Sequence, residues 1–199
     1  MNSVIEIVQK EHKVLREHAR PVPLQEIKNG KIRKILKDMR TALDSQEDGI
    51  AIAAPQINVP LRIFVVSKKI HRIEQEERDV SARARGIELS EHLIPLDHKN
   101  KKDLVFINPE ITKLSKKKHW VPEGCLSVRW LYGKVPRADK VTVRAYNENG
   151  ERFTRGASGL LAQVFQHETD HLNGVLFIDT AKNLEELNPE EMKKHSRAK

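Results

Sequence analysis

The sequence predicts an α+β fold in which short strands pack around one buried helix, and that helix carries a metal-binding motif. Three observations lead there. Residues 158–174, SGLLAQVFQHETDHLNG, have helical periodicity and contain His-Glu-x-x-His. Separate short apolar runs at 50–54, 61–67, 104–112 and 141–148 have the length and punctuation of strands. The 199 residues are 38% hydrophobic and 32% charged, which suits a single wet-surfaced domain long enough to bury a core.

The first strong element is GKIRKILKDMRTALDSQ (30–46), where Ile32, Ile35, Leu36, Met39 and Leu43 recur at helical spacing between charges. Glu47-Asp48-Gly49 breaks it. IAIAA (50–54) and LRIFVVS (61–67) follow as strands, separated by Pro55 and Pro60. Residues 68–102 are polar, mixed in charge and weakly periodic. They read as an insertion, part helix and part mobile loop, with Ile87, Leu89, Leu93 and Ile94 available to dock on the body. LVFINPEIT (104–112) resumes the β structure. Along 141–148, Val141, Val143 and Ala145 alternate with Thr142, Arg144 and Tyr146, so one face is buried. Asn149-Gly150 is a turn signal leading back through ERFTR (151–155). In the last helix Ser158 is the expected N-cap and Gly174 the expected stop, and Leu160, Val164, His167 and His171 form one inward stripe. Residues 1–182 thus read as a single catalytic domain, and 183–199 as a basic tail with scope for a short helix.

Several functional classes are excluded or weakened. No run approaches the length of a membrane span, and MNSVIEIVQKEHKVLREH is charged throughout where a signal peptide is apolar, so a cytoplasmic location is expected. One cysteine, Cys125, allows no intramolecular disulfide; alone, it is a buried small residue, a nucleophile or a metal ligand. The net charge of +8 is concentrated in KNKKD (99–103), SKKKHW (115–120) and MKKHSRAK (192–199). Such clusters are either solvated surface or a docking site for a polyanion such as ribosomal RNA. Aromatics are only 5% and no base-stacking motif is visible, so sequence-specific nucleic-acid recognition is not expected.

His-Glu-x-x-His on a helix puts both imidazoles on one side at chelating distance, with Glu168 beside them. The alternative is a buried pair satisfied by hydrogen bonds, but two histidines and a glutamate on an apolar stripe are costly to bury without partners. A metal removes that cost. The third ligand should be soft, ionisable and held in a rigid turn, and the one candidate is Cys125 in VPEGCLSV (121–128), where Gly124 lets the backbone bend. Cys125, His167 and His171 leave a fourth position for water, which marks a catalytic rather than a structural site. Ligand type alone favours zinc.

HETDHL (167–172), EGCLS (123–127) and GIAIAAPQ (49–56) resemble the three signature motifs of peptide deformylases, in the same order. VLREHARPV (14–22) and VFINPEI (105–111) resemble further segments of that family. The resemblance implies antiparallel sheets surrounding the central helix, and hydrolytic removal of the formyl group from the N-terminal formylmethionine of nascent polypeptides. It implies Fe2+ at Cys125, His167 and His171, with Zn2+, Ni2+ or Co2+ able to substitute. It also implies that Glu168 shuttles the proton, and that the Gln56 side chain and the Leu126 backbone N–H donate to the oxyanion. Ile50, Val121, Leu126 and Leu160 would then line a methionine pocket, with the peptide added as a strand along 49–53, against Gly49 and Ala51 and close to Gly124. Glu123 would orient the site. Two residues depart from the family pattern: Ala51 stands where a second glycine is usual, and Gln163 where the pocket is more often apolar. The segment 68–102 is also longer than the pattern. Two competing expectations remain at this stage: another small metallopeptidase, and a ribosome-binding protein with a vestigial metal site and a docking tail.

Overall fold

The computed structural model describes residues 5–84 and 102–187. Helix α1 (Gly30–Asp44) buries Ile32, Ile35, Leu36, Met39, Ala42 and Leu43, the face its periodicity predicts. Its start is fixed by Asn29, whose Oδ1 accepts the Ile32 N–H at 2.8 Å. Strands β1 (Ala51–Ala53), β2 (Ile63–Val66), β3 (Leu104–Leu114), β6 (Lys140–Tyr146) and β7 (Arg152–Ser158) form an antiparallel sheet in the order β1-β2-β3-β6-β7.

This sheet divides two cores, which explains why IFVV is apolar without alternation. Ile63 and Val65 pack with the α1 residues, while Phe64 and Val66 face the other way, onto Phe106 and Phe165. Phe106 stacks on Phe64 and meets Phe165 edge-on at 4.9 Å between centroids. Val141, Val143 and Ala145 of β6 join that second core, as their alternation predicts. The β6–β7 turn is wider than Asn149-Gly150 alone: Asn147 Oδ1 accepts the N–H groups of Asn149 and Glu151.

A second antiparallel sheet, in the order β4-β5-β8, is built from β4 (Lys118–Cys125), β5 (Val128–Ala138) and β8 (Lys182–Glu186). The sequence reading saw only a turn at 121–128. The inner faces of β4 and β5 carry Glu123, Cys125 and Arg137, so polar residues interrupt the apolar alternation that would have disclosed two strands. The proposed boundary at 182 also needs correction. Residues 182–186 pair with β5 as an exposed edge strand and belong to the sheet, not to a helical tail. Residues 188–199 lie outside the described residues.

The segment 68–102 begins with helix α2 (Lys69–Ala84), anchored by buried Ile70. The positions of Ile87, Leu89, Leu93 and Ile94 lie outside the described residues. Helix α3 (Gly159–Leu172) lies between the sheets, with Leu161, Ala162, Val164, Phe165, Gln166, Glu168, Thr169, His171 and Leu172 all buried. Burial therefore runs nearly round the helix. Leu160 and His167 are only partly buried, because they border a cleft. Ser158 makes no side-chain cap. Its place is taken by Glu77 of α2, whose Oε1 accepts the Leu160 N–H at 3.1 Å. At the other end Gly174 has φ +74°, and a Cβ there would come within 2.7 Å of the Arg16 carbonyl oxygen, so the stop is set by backbone approach as well as by conformation.

Candidate metal centre and active site

Cys125 ends β4 at the tip of the β4–β5 hairpin, which a tight turn closes by pairing it with Val128. Gly124 is demanded by packing: a Cβ there would stand 2.5 Å from Tyr132 Cε1. The hairpin thereby places the sulfur over α3. Donor atoms of Cys125, His167 and His171 all lie within 4.8 Å of one another, with Cys125 Sγ 3.2 Å from His171 Nε2. The Ser127 N–H and Gln56 Nε2 point at the sulfur from 3.4 and 3.6 Å.

The ring orientation of His167 is set behind the cluster. Its Nδ1 lies 2.6 Å from Glu123 Oε1, which leaves Nε2 free to ligate. Glu123 also accepts two bonds from Arg137, at 2.6 and 2.9 Å, and one from Gln163 Nε2 at 3.2 Å. Burial alone would push the Glu123 carboxyl up, but the His167 and Arg137 bonds more than reverse it, to about 2. Arg137 continues to Asp170 Oδ2 at 2.6 Å, so one guanidinium ties β5 to both β4 and α3.

These residues fit a divalent transition-metal ion. Burial drives His171 well below the usual imidazole range, with the His167 charge acting the same way, so it presents a neutral ring. At His167 burial also pulls downward, but the bonds to Cys125 and Glu123 and the nearby Glu168 outweigh it and draw positive charge to the cluster. A cation held by Cys125, His167 and His171 would supply that charge. Glu168 Oε2 and His171 Nδ1 are buried without a protein partner. Burial, reinforced by Glu123 and Asp170 and opposed by His167, raises the Glu168 carboxyl to about 7, the range in which a general base also works as an acid.

A cleft of about 290 Å3 opens in front of the cluster. It is lined by Gly49, Ile50, Ala51, Gln56, Glu123, Gly124, Cys125, Leu126, Leu160, Gln163, His167 and Glu168, all singled out from the sequence. His171 sits within the donor cluster and Val121 lies elsewhere, on a neighbouring depression. Gln56 occupies a 3-10 turn (Ala54–Ile57) directly after β1. Its Oε1 accepts the Ala53 N–H at 2.8 Å, which turns Nε2 toward Ser127 Oγ at 3.1 Å and the Cys125 sulfur. Sequence reasoning missed Arg137, Asp170, Ser127 and Tyr132, and also the Asp48–Arg129 pair, 2.6 Å apart on the cleft lining. The question that would have found Arg137 is what could neutralise a carboxylate buried beside a candidate metal ligand.

A soft Cys-His-His donor set with a carboxyl near neutrality and an apolar cleft before it is machinery for setting water against a bound carbonyl, and places this protein among the metal-dependent hydrolases. Residues 4–187 match the polypeptide deformylase family model. The chain belongs to the peptide deformylases, metal-dependent enzymes that remove the N-formyl group from newly made polypeptides. It is 38% identical over 169 residues to peptide deformylase 2 of Clostridium acetobutylicum, covering 85% of this chain and 89% of that one. It is 37% identical over 182 residues to the peptide deformylase of Carboxydothermus hydrogenoformans, covering 92% and 96%. Among solved structures, the Met-Ala-Ser-bound class I type b peptide deformylase of Acinetobacter baumannii superposes with TM-score 0.70 at 27% identity, over 90% of this chain and 99% of that one. The Thermotoga maritima enzyme gives the same TM-score and identity over 91% and 99%. Among the described residues no helix is long and apolar enough to cross a membrane.

Proposed function

We propose that this chain removes formyl groups from N-formylmethionyl chain ends with Cys125, His167 and His171 as metal ligands and Glu168 as proton shuttle. The observation that carries the assignment is Glu168 itself: buried, with one oxygen unpartnered, its carboxyl near 7, and next to a ligand in the chain. Fe2+ is the proposed native ion, supported by the family resemblance; the Cys-His-His set also accepts Zn2+, Ni2+ or Co2+. When bound, the ion supplies Lewis acidity, polarising the formyl carbonyl and lowering the pKa of water toward about 7.

The protein's own groups do the rest. Glu168 takes the proton of the attacking water and returns it to the peptide nitrogen as the C–N bond breaks and formate leaves. Gln56 Nε2 is held by its own acceptor bond and donates, with the Leu126 N–H, to the developing oxyanion. One such donor is worth about 2.7–4 kcal/mol in other hydrolases. Ile50, Leu126 and Leu160 form the apolar walls for the methionine side chain. The first strand, β1, lies at the edge of its sheet among the described residues, and Ala51, which turns its main-chain groups away from β2, offers them to an extended peptide laid along 49–53. The Met-Ala-Ser complex of the Acinetobacter relative supports a peptide in this cleft. The site of action is the cytoplasm, at the ribosome, with the basic segment 192–199 as the docking element; its charge is the support.

The test is anaerobic purification, metal analysis and formate release from formyl-Met-Ala-Ser. Absence of formate with iron, nickel or cobalt loaded would overturn the proposal. Salt-sensitive co-sedimentation with ribosomes should weaken when 192–199 is deleted; an unaffected deletion variant removes the docking role.

A further inference from the structure

We infer that Gln163 is the end wall of the first-residue pocket and sets the length of side chain the pocket admits, an inference that rests on the deformylase reading of the cleft. The cleft and the neighbouring depression share three lining residues, Pro122, Leu160 and Gln163. The buried Glu123–Arg137 pair straddles the same boundary, with Glu123 on the cleft side and Arg137 on the far side, 2.6 Å apart. The cleft of about 290 Å3 and the depression of about 540 Å3 therefore adjoin at these residues.

Gln163 spans that boundary from α3 to β4. Its Nε2 donates to the Pro122 carbonyl oxygen at 2.8 Å and to Glu123 Oε2 at 3.2 Å. Both amide protons are thus engaged, and the side chain is pinned where a hydrocarbon of equal length would swing between rotamers. Pro122 and Leu160 frame the gap, but neither bridges it by a side-chain hydrogen bond. Shortening Gln163 joins the two spaces. Val121, on the far side, then becomes part of a longer pocket.

The experiment uses the metal-loaded enzyme and formyl tripeptides that differ only in the first residue: methionine, or 2-aminooctanoic acid with a longer unbranched chain. Wild type is expected to discriminate against the longer chain. Gln163→Ala should raise the ratio of kcat/KM for the long substrate over methionine about tenfold or more, the scale on which pockets discriminate single methylenes. Gln163→Met, which restores length without the tether, should give a smaller increase. A ratio within about twofold of wild type in Gln163→Ala overturns the inference. So does an equal loss of kcat on both substrates with the ratio unchanged, which makes Gln163 a support for Glu123 only. Gln163 is partly exposed and alanine favours helix, so the variant retains its fold; unchanged metal content and melting temperature verify this. Wild type that releases no formate from formylmethionine refutes the deformylase reading instead.

Discussion

Replacing Arg137 with methionine tests the support of the metal centre directly. The side chains of Arg137 and Glu123 are 9% and 3% exposed, joined by bonds of 2.6 and 2.9 Å. Removing one partner of such a pair strands a buried charge, at a cost of about 3–5 kcal/mol. The Glu123 carboxyl points the same way. It is held at about 2 against an ordinary 4.5, so the His167 and Arg137 bonds outweigh the burial penalty on its charged form by roughly 3 kcal/mol. Because the folded value is depressed, this stabilisation is fully present above about pH 4.5 and is lost as pH falls toward 2. For a domain of this size each kcal/mol shifts the melting point by about 2–4 °C, so Arg137→Met should melt roughly 6–20 °C below wild type near pH 7. Acid titration followed by circular dichroism should also show the variant unfolding at higher pH. A melting point within about 3 °C of wild type, with an unchanged acid midpoint, would refute the reasoning.

Glu168→Gln should retain its metal and lose turnover by about 10²–10⁴-fold; loss of metal would instead make Glu168 a ligand. Because the base acts ionised, wild-type activity should rise with pH through an inflection at about 7, or lower once a cation is bound, and the variant should lack that limb. Gly124→Ala pushes a methyl into the Tyr132 ring and should cost about 1–3 kcal/mol, recovered in part by adding Tyr132→Ala; a single variant that melts with wild type contradicts the packing role. Glu77→Ala should lower stability by about 0.5–2 kcal/mol through loss of the α3 cap, with Glu77→Gln retaining most of it. Equal denaturation midpoints for Glu77→Ala and wild type would show that the cap contributes nothing.

Legibility followed locality. Helix α1, the β6–β7 pair and α3 were readable because each carries its own periodicity, and the members of the Cys125–His167–His171 donor cluster because short motifs carry them. The β4–β5 hairpin escaped because Glu123 and Arg137 interrupt its buried apolar residues, for the reason that the site is built there. Strand β8 escaped because it is exposed throughout and has no buried face to imprint a pattern. The α3 cap is non-local: Ser158 has the right chemistry and the right position, yet Glu77 of the preceding helix holds the Leu160 amide. Val121 shares a strand face with Glu123 and Cys125, but each two-residue step moves about 7 Å along β4, which carries it past the boundary at Gln163. Arg137 sits in no motif that marks it out; only the carboxylate beneath it explains its burial.

The order of the chain has a consequence for how each copy comes into being. The sulfur arrives on β4, both imidazoles on α3, and the sheet that holds the sulfur is completed only by β8. A growing chain that has emerged only as far as Cys125 has one member of the donor cluster and no centre. The proposed centre therefore exists only once helix α3 has packed against the hairpin, so its chemistry is a property of long-range folding and of neither motif alone.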